Sequence, residues 1–401
     1  MTPMSAPVDA PFDPMSQFTG VAGDVRDPYP EFWTKRTATP VELMADGGYE
    51  IYPYELVSQV MRDNIAFPSG SIREFMSVVM GPYPLVGMDE PEHRRLRALV
   101  AQAFRQRTLA HWDEDLVVPV VDDMIDGFAA RGEADLVSEF TYHYPAQVIA
   151  AILGLPREDH AFFHPRALAL INVAVRPEEG ILASEELRDY FAGIMDERRA
   201  RPGTDIISEL TVAELDGERL GDEEIFSFLR LLLPAGAETT YRATGSFLHG
   251  LLSNPDQFDA LRADRELMPQ GIEESIRWEG PLLITSRECA TDTEIAGVTI
   301  PKGGFVTVNI GAANHDETRW ERPDDFDIFR EPLPHIAFGH GVHMCLGMHL
   351  ARMEMATAVN RLVDRCPNLR PDPDCWDPDD VHIHGERFRS PTTLPVLFDA
   401  A

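Results

Sequence analysis

Lysine is almost missing from this 401-residue chain: Lys35 and Lys302 are its only two, so arginine carries nearly all of the positive charge. Positive charge as a whole is scarce, with 35 Lys and Arg against 67 Asp and Glu and a formal net charge of −32 at pH 7. Nucleic acid and anionic membrane surfaces both need a basic footprint, so neither is the expected partner. A halophilic surface would carry the same balance. Cysteine is also sparse: Cys289, Cys345, Cys366 and Cys375 are too few for a disulfide framework in a chain this long, and they point to a reducing cytoplasm. No run of about 18 apolar residues occurs, so no membrane-spanning helix is expected. The opening "MTPMSAPVDAPFDPMSQFTG" has neither the basic start nor the apolar run of a secretion signal. These absences describe a soluble, cytoplasmic protein.

What is present fits a globular domain, with 44% apolar and 25% charged residues. Residues 1–20, rich in Pro, Asp and Ser, read as a loose tail. No Pro/Gly/Ser stretch divides the rest, so 21–401 is expected to be one domain. Apolar residues recur at helical spacing through most of 89–270, as in "RRLRALVAQAF" and "YPAQVIAAILGL". Strand-like pieces are few: "GYEIYPY" near residue 50, "TEIAGVTIPKGGFVTVNI" at 293–310 and "TTLPVLF" at 392–398. In the second, "PKGG" is expected to turn a hairpin. The fold class is therefore mainly α with small β-sheets (α+β).

The longest helix runs from Asp222, read as its N-cap, to the stop at Pro255. Pro234 interrupts it, since proline has no N–H for the carbonyl of Arg230. Beside it Gly236 permits close approach to the backbone, while Glu238, Thr239 and Thr240 place polar groups on an apolar helix. A threonine there can bond back one turn and widen the break. A kinked core helix with polar residues on its exposed side would look the same.

Cys345 stands in "HIAFGHGVHMCLGMHLARMEM". Most free cysteines are small buried hydrophobes. Zinc fails on spacing, because no C-x2-C partner exists. A cysteine nucleophile with an activating histidine stays open. The setting favours something else: Gly339, Gly341 and Gly347 allow tight turns that wrap amides around a sulfur, and an apolar helix follows, whose positive end favours a thiolate. A lone, amide-wrapped thiolate suits the proximal ligand of a haem.

"FGHGVHMCLG", Phe338 to Gly347, is similar at every fixed position to the haem-binding signature of the cytochrome P450 family, F-G-x-G-x-[HR]-x-C-x-G. "EESIRWE" supplies Glu274 and Arg277, resembling the family's E-x-x-R pair, and their spacing puts both on one helix face. "AANHDETRWERPDDFDIFR" resembles the family's meander, with Asp325 where Arg or His often precedes the Phe, so the usual third member of the Glu–Arg network is missing from its place.

This resemblance implies a triangular helical body around a buried haem b, with Cys345 as axial ligand to the iron and Phe338 and Gly339 beside it. His93, Arg97, Arg287 and His343 would meet the propionates; His93 and Arg97, one turn apart, can reach one anion. Ala235 and Gly236 would leave room for oxygen, and Thr239 and Glu238 would be the alcohol–acid pair that holds the oxygen species and relays protons. Phe75, Met76, Val79, Met80, Ile171, Val175, Leu232, Ala235, Leu282, Leu283 and Thr392 are the implied pocket positions. They are mostly apolar, which suggests a terpenoid, steroid or alkylaromatic. Electrons would come from NAD(P)H through a ferredoxin reductase and a ferredoxin, with Arg94, Arg95, Arg105 and Arg107 as the docking face. A peroxide-driven peroxygenase and a non-catalytic haem sensor are the competing readings.

Overall fold

Chain entry into the central helix is set by Glu224, whose Oε2 accepts a hydrogen bond from the Gly221 N–H at 2.8 Å. Gly221 is thus the N-cap, one residue before the expected Asp222, which is the first helical residue. The computed structural model describes residues 25–400 apart from 172, 174 and 175, with all side chains except those of 75, 106, 107, 157, 161 and 171. The expected 1–20 tail, Val175, and the side chains of Phe75, Arg107 and Ile171 lie outside the described residues.

The helices that build the site are α1 (Gly70–Met80), α2 (Glu92–Val100), α3 (Tyr144–Ile152), α4 (Pro177–Ala200), α5 (Asp222–Leu233), α6 (Thr239–Ser253), α7 (Met268–Trp278) and α8 (Met348–Arg365). Residues Glu224–Leu233 of α5 and nearly all of α6 are buried, polar side chains such as Arg230, Arg242 and Thr244 included, so this pair of helices runs through the middle of the protein. Between them Pro234–Glu238 forms a widened π-type turn. Proline leaves the ladder one donor short, and Thr239 Oγ1 donates to the Ala235 carbonyl at 2.8 Å, the bond-back its sequence position suggested.

A four-stranded sheet packs beside this body. Its strands β1 (Val41–Leu43), β2 (Tyr49–Ile51), β3 (Ile284–Glu288) and β4 (Phe305–Asn309) lie in the order β1-β2-β4-β3, with β2 and β4 parallel and the other pairs antiparallel. The side chains of Ile51, Val306 and Val308 enter a second core with Val57, Val60 and Trp320.

The hairpin expected at 293–310 turns elsewhere. Thr293–Ile295 pairs with Val298–Ile300, and the two-residue turn is Ala296–Gly297, with φ of 49° and 80°. Positive φ at both positions gives the type I′ twist that suits a tight hairpin. "PKGG" is instead a corner that sends the chain into β4 and pairs with Cys289 through the Cys289 and Gly303 N–H groups. Pro395–Leu397 does form a strand, between Arg370–Pro371 and Glu133–Asp135. Among the described residues no helix is long and apolar enough to cross a membrane.

Candidate functional site

The cysteine loop is shaped by two glycines. Gly339 (φ +74°) and Gly341 (φ +76°) sit in the left-handed region, and a Cβ on Gly341 would lie 2.6 Å from the Met61 carbonyl. The loop closes with the Cys345 N–H donating to the Phe338 carbonyl at 2.8 Å. Gly347 then caps α8. Burial pushes the Cys345 thiol up, while the Gly347 N–H, Arg97 and Arg352 favour the thiolate. The sulfur's residue is exposed toward a cavity of about 360 Å³ that it helps to line.

The cavity joins the cysteine loop to the widened turn. Phe338, Gly339, His343 and Cys345 line it, and so do Leu232, Ala235, Gly236, Thr239, Thr240 and Ala243 from the central helices. Ile72, Leu85, Val86, Phe228 and Leu282 complete an apolar wall. Of the expected pocket positions, Leu232, Ala235 and Leu282 reach it. Met76, Val79, Met80, Leu283 and Thr392 do not. Leu283 follows Leu282 into extended chain and so points the other way, packing on Gly311. Val79 and Met80 are buried in the main core at the end of α1, which offers Ile72 to the cavity instead.

Glu238 is not on the cavity wall. It is buried, and Arg242 Nη2 donates to its Oε1 at 3.3 Å, while Arg242 Nη1 donates to Ser390 Oγ at 3.1 Å. Burial raises its pKa and the Arg242 charge opposes the rise.

Four groups from three distant segments of the chain converge at one end of the cavity. Arg97 donates to the Met344 carbonyl, Arg287 and His343 line the wall, and the His93 and His343 rings lie 4.1 Å apart between centroids. Burial, then the neighbouring His93, Arg287 and Arg97, push His343 down to about 3. His93 Nδ1 and Nε2 and His343 Nε2 are buried with no hydrogen-bond partner among the described residues; the Glu90 carboxylate stops 3.6 Å from His93 Nδ1. Donors and positive charge gathered around an apolar slot, with a cysteine on its wall, fit a flat, apolar group that carries carboxylates. Haem is such a group. Among the described residues no cluster of His, Cys, Asp and Glu suits a bare metal ion.

The Glu274–Arg277 pair is buried and bidentate, with Nε to Oε2 at 2.8 Å and Nη2 to Oε1 at 2.9 Å. Its third partner is Arg330, whose Nε donates to Glu274 Oε1 at 3.0 Å. Asp325 contributes only its carbonyl, to Arg277 Nη2 at 3.3 Å and Arg330 Nη2 at 3.1 Å. The sequence reading also passed over Glu273, which Arg352 and His335 clamp beside the cysteine loop, and Glu354, a buried acid on the cavity wall. The doubled "EE" before "SIR" was the available signal for the first.

On the cysteine side, Arg94 is exposed and bonds Glu90 at 3.1 Å, and Arg105 is exposed. Arg95 turns away to Glu218 and Glu224.

A family model described as "Cytochrome P450" matches residues 178–380. The putative cytochrome P450 YjiB of Bacillus subtilis (strain 168) is 36% identical over 356 residues, covering 86% of this chain and 89% of that protein. The vitamin D3 dihydroxylase of Streptomyces griseolus is 36% identical over 310 residues, covering 76% and 75%. The crystal structure of CYP109E1 from Bacillus megaterium in complex with testosterone superimposes with a TM-score of 0.86 at 30% identity, covering 93% of this chain and 99% of that one. With the cysteine loop, the buried Glu–Arg pair and the helical fold already in place, these likenesses settle the matter: this chain belongs to the cytochrome P450 family and is a monooxygenase of that family.

Proposed function

We propose that the protein inserts one atom of O2 into a neutral, lipophilic small molecule such as a steroid or terpenoid, using electrons from NAD(P)H passed through a ferredoxin reductase and a ferredoxin in the cytoplasm. The observation that carries the reading is that Cys345 and Thr239 line one cavity, together with a stretch of wall formed by the apolar side chains of Ile72, Leu85, Val86, Phe228 and Leu282. In this reading Cys345 would ligate the iron of haem b, and His93, Arg97, Arg287 and His343 would hold its propionates. Bound there, haem supplies oxygen activation, with a thiolate ligand favouring O–O cleavage.

The protein's own groups then do three things. Thr239 spends its proton on the Ala235 carbonyl, which leaves its oxygen lone pairs free to accept a hydrogen bond at the cavity edge. Glu238, buried and raised in pKa, carries protons inward when it leaves Arg242. The apolar wall keeps bulk water out and orients the substrate.

Substrate neutrality follows from where the charges are. The charged lining groups Arg97 and Arg287 belong to the cationic end, and burial holds the Glu354 carboxyl well above the usual carboxylate range, so the wall near Thr239 offers no fixed charge to a charged substrate. The complexes of CYP109E1 with testosterone and with corticosterone support the same class. Exposed Arg94 and Arg105 on the cysteine side, in a chain of net charge −32, give an acidic ferredoxin a local target. Four free cysteines fit a reducing compartment.

The test is turnover of neutral steroids and terpenes by haem-loaded protein with ferredoxin, reductase and NADPH under 18O2. One 18O atom per product is expected. Equal product formation from hydrogen peroxide alone, without ferredoxin, would select the peroxygenase reading instead.

A further inference from the structure

Arg230, in the last turn of α5, is 6% exposed, and no carboxylate among the described residues forms an ion pair with it. Burial draws its pKa down and Glu223 offers only relief at a distance. A buried guanidinium with no acid beside it is costly to keep, and its position has to be explained by what it holds.

What it holds is a bend in the chain. Arg230 Nε donates to the Phe226 carbonyl of its own helix at 3.1 Å, and Nη1 donates to Ser184 Oγ on α4 at 3.1 Å. Ser184, itself 2% exposed, donates in turn to the Val79 carbonyl at the end of α1. Arg230 Nη2 lies against Gly81: a Cβ there would be 2.2 Å away, and Gly81 also takes a φ of +85°. Two residues on, the Tyr83 N–H donates to Ser227 Oγ of α5 at 3.3 Å. The bend Val79–Tyr83 is therefore fastened to α4 and α5 by these polar contacts, alongside the packing of Val79 and Met80 in the main core.

That bend separates two pieces of the cavity wall, Ile72 before it and Leu85 and Val86 after it. On its outer side, Val78 and Leu182 are 63% and 57% exposed, so the joint presents apolar side chains to solvent.

We infer that Arg230 is a positioning residue which, through Ser184, pins the Val79–Tyr83 bend and so sets the place of the Ile72 and Leu85–Val86 wall and the rate at which a lipophilic molecule passes it. The nature of that molecule rests on the functional reading above; the pinning does not.

Two measurements on haem-loaded protein test this without any turnover. Hydrogen exchange should show the Gly81 and Tyr83 amides about tenfold faster in Arg230→Met and in Ser184→Ala, the effect of one lost charge-assisted bond, with amides of α6 and α8 unchanged. Arg230→Lys, which can still reach Ser184, should restore part of the protection. Stopped-flow binding of 4-phenylimidazole should quicken in both directions in the same two variants, while imidazole itself changes little. Unchanged exchange at 79–83, a uniform rise over the whole chain, or faster exchange with unaltered phenylimidazole rates would each overturn the inference.

Discussion

Glu273 and Arg352 meet through two hydrogen bonds, Nε to Oε1 at 2.5 Å and Nη2 to Oε2 at 2.8 Å, which tie α7 to the first turns of α8. His335, at the head of the cysteine loop, lies 3.2 Å from the same Oε2, and Arg352 lays its guanidinium 4.5 Å from the centre of the Phe338 ring. Burial alone would raise the Glu273 pKa, but the bonds from Arg352 and His335 prevail and bring it to about 2. A carboxyl whose folded pKa lies below its unfolded one stabilises fully above the unfolded value, and loses that contribution as pH falls toward the folded value. Acid should therefore release haem from the wild-type protein between pH 4.5 and about 2 in part through this group. Glu273→Gln should cost roughly 1–2 kcal/mol at pH 7, discounted for partial exposure, and flatten that limb of a Soret titration. An unchanged limb would remove Glu273 from the account.

Arg330 is the partner on which Glu274 depends besides Arg277. Arg277→Met leaves Glu274 short of its bidentate partner in a buried site, and should cost about 3–5 kcal/mol, enough to prevent folding in a marginal protein. Arg330→Met should cost about 1.5–3 kcal/mol, and Arg330→Lys less. Urea midpoints of the three variants, followed by tryptophan fluorescence, give the order.

The cationic end of the cavity predicts a haem-affinity effect separable from catalysis. Arg97→Gln or Arg287→Gln removes one charge-assisted donor and should speed haem transfer to apomyoglobin about 10–100-fold. His343→Gln, where the side chain is held neutral, should have a smaller effect. Equal rates in all three would mean that the cluster serves packing and not anion binding.

Thr239→Val keeps the shape of the side chain and removes its hydroxyl. Product formation should fall about 10–100-fold while NADPH oxidation continues and emerges as hydrogen peroxide, and Thr239→Ser should keep most of the coupling. Proportional loss of oxidation and product would argue for a structural role at the widened turn.

Much of this was legible because single residues carry strong local physics. Pro234 announced the break between α5 and α6 by lacking a donor, and Thr239 makes the bond-back that its position allows at the widened turn. Cys345 among its glycines was legible for the same reason. The cap was misplaced by one residue because Asp222 has the side chain of a cap, whereas Gly221 only accepts the service of Glu224. "PKGG" misled because it has turn composition, but Ala296–Gly297 is the pair that sits in register between two strands. Arg330 was hidden: it reaches Glu274 across 56 residues, and nothing local marks it. The pocket was read only in part, since which face of α1 and which of Leu282 and Leu283 look inward is decided by packing against other elements.

The crowd of donors around His343 has a consequence for the life of the chain in the cell. Burial first, and then His93, Arg287 and Arg97, bring that ring to about 3, and the two arginines leave positive charge there before any anion arrives. To the extent that haem binds the folded chain and not the unfolded one, each increment of haem should shift the folding equilibrium by mass action. Newly made protein in an iron-starved cell stays longer among unfolded forms that proteases remove. The amount of enzyme should then follow iron supply through turnover of the polypeptide itself; pulse-chase half-lives that shorten without iron would show that coupling, and equal half-lives would exclude it.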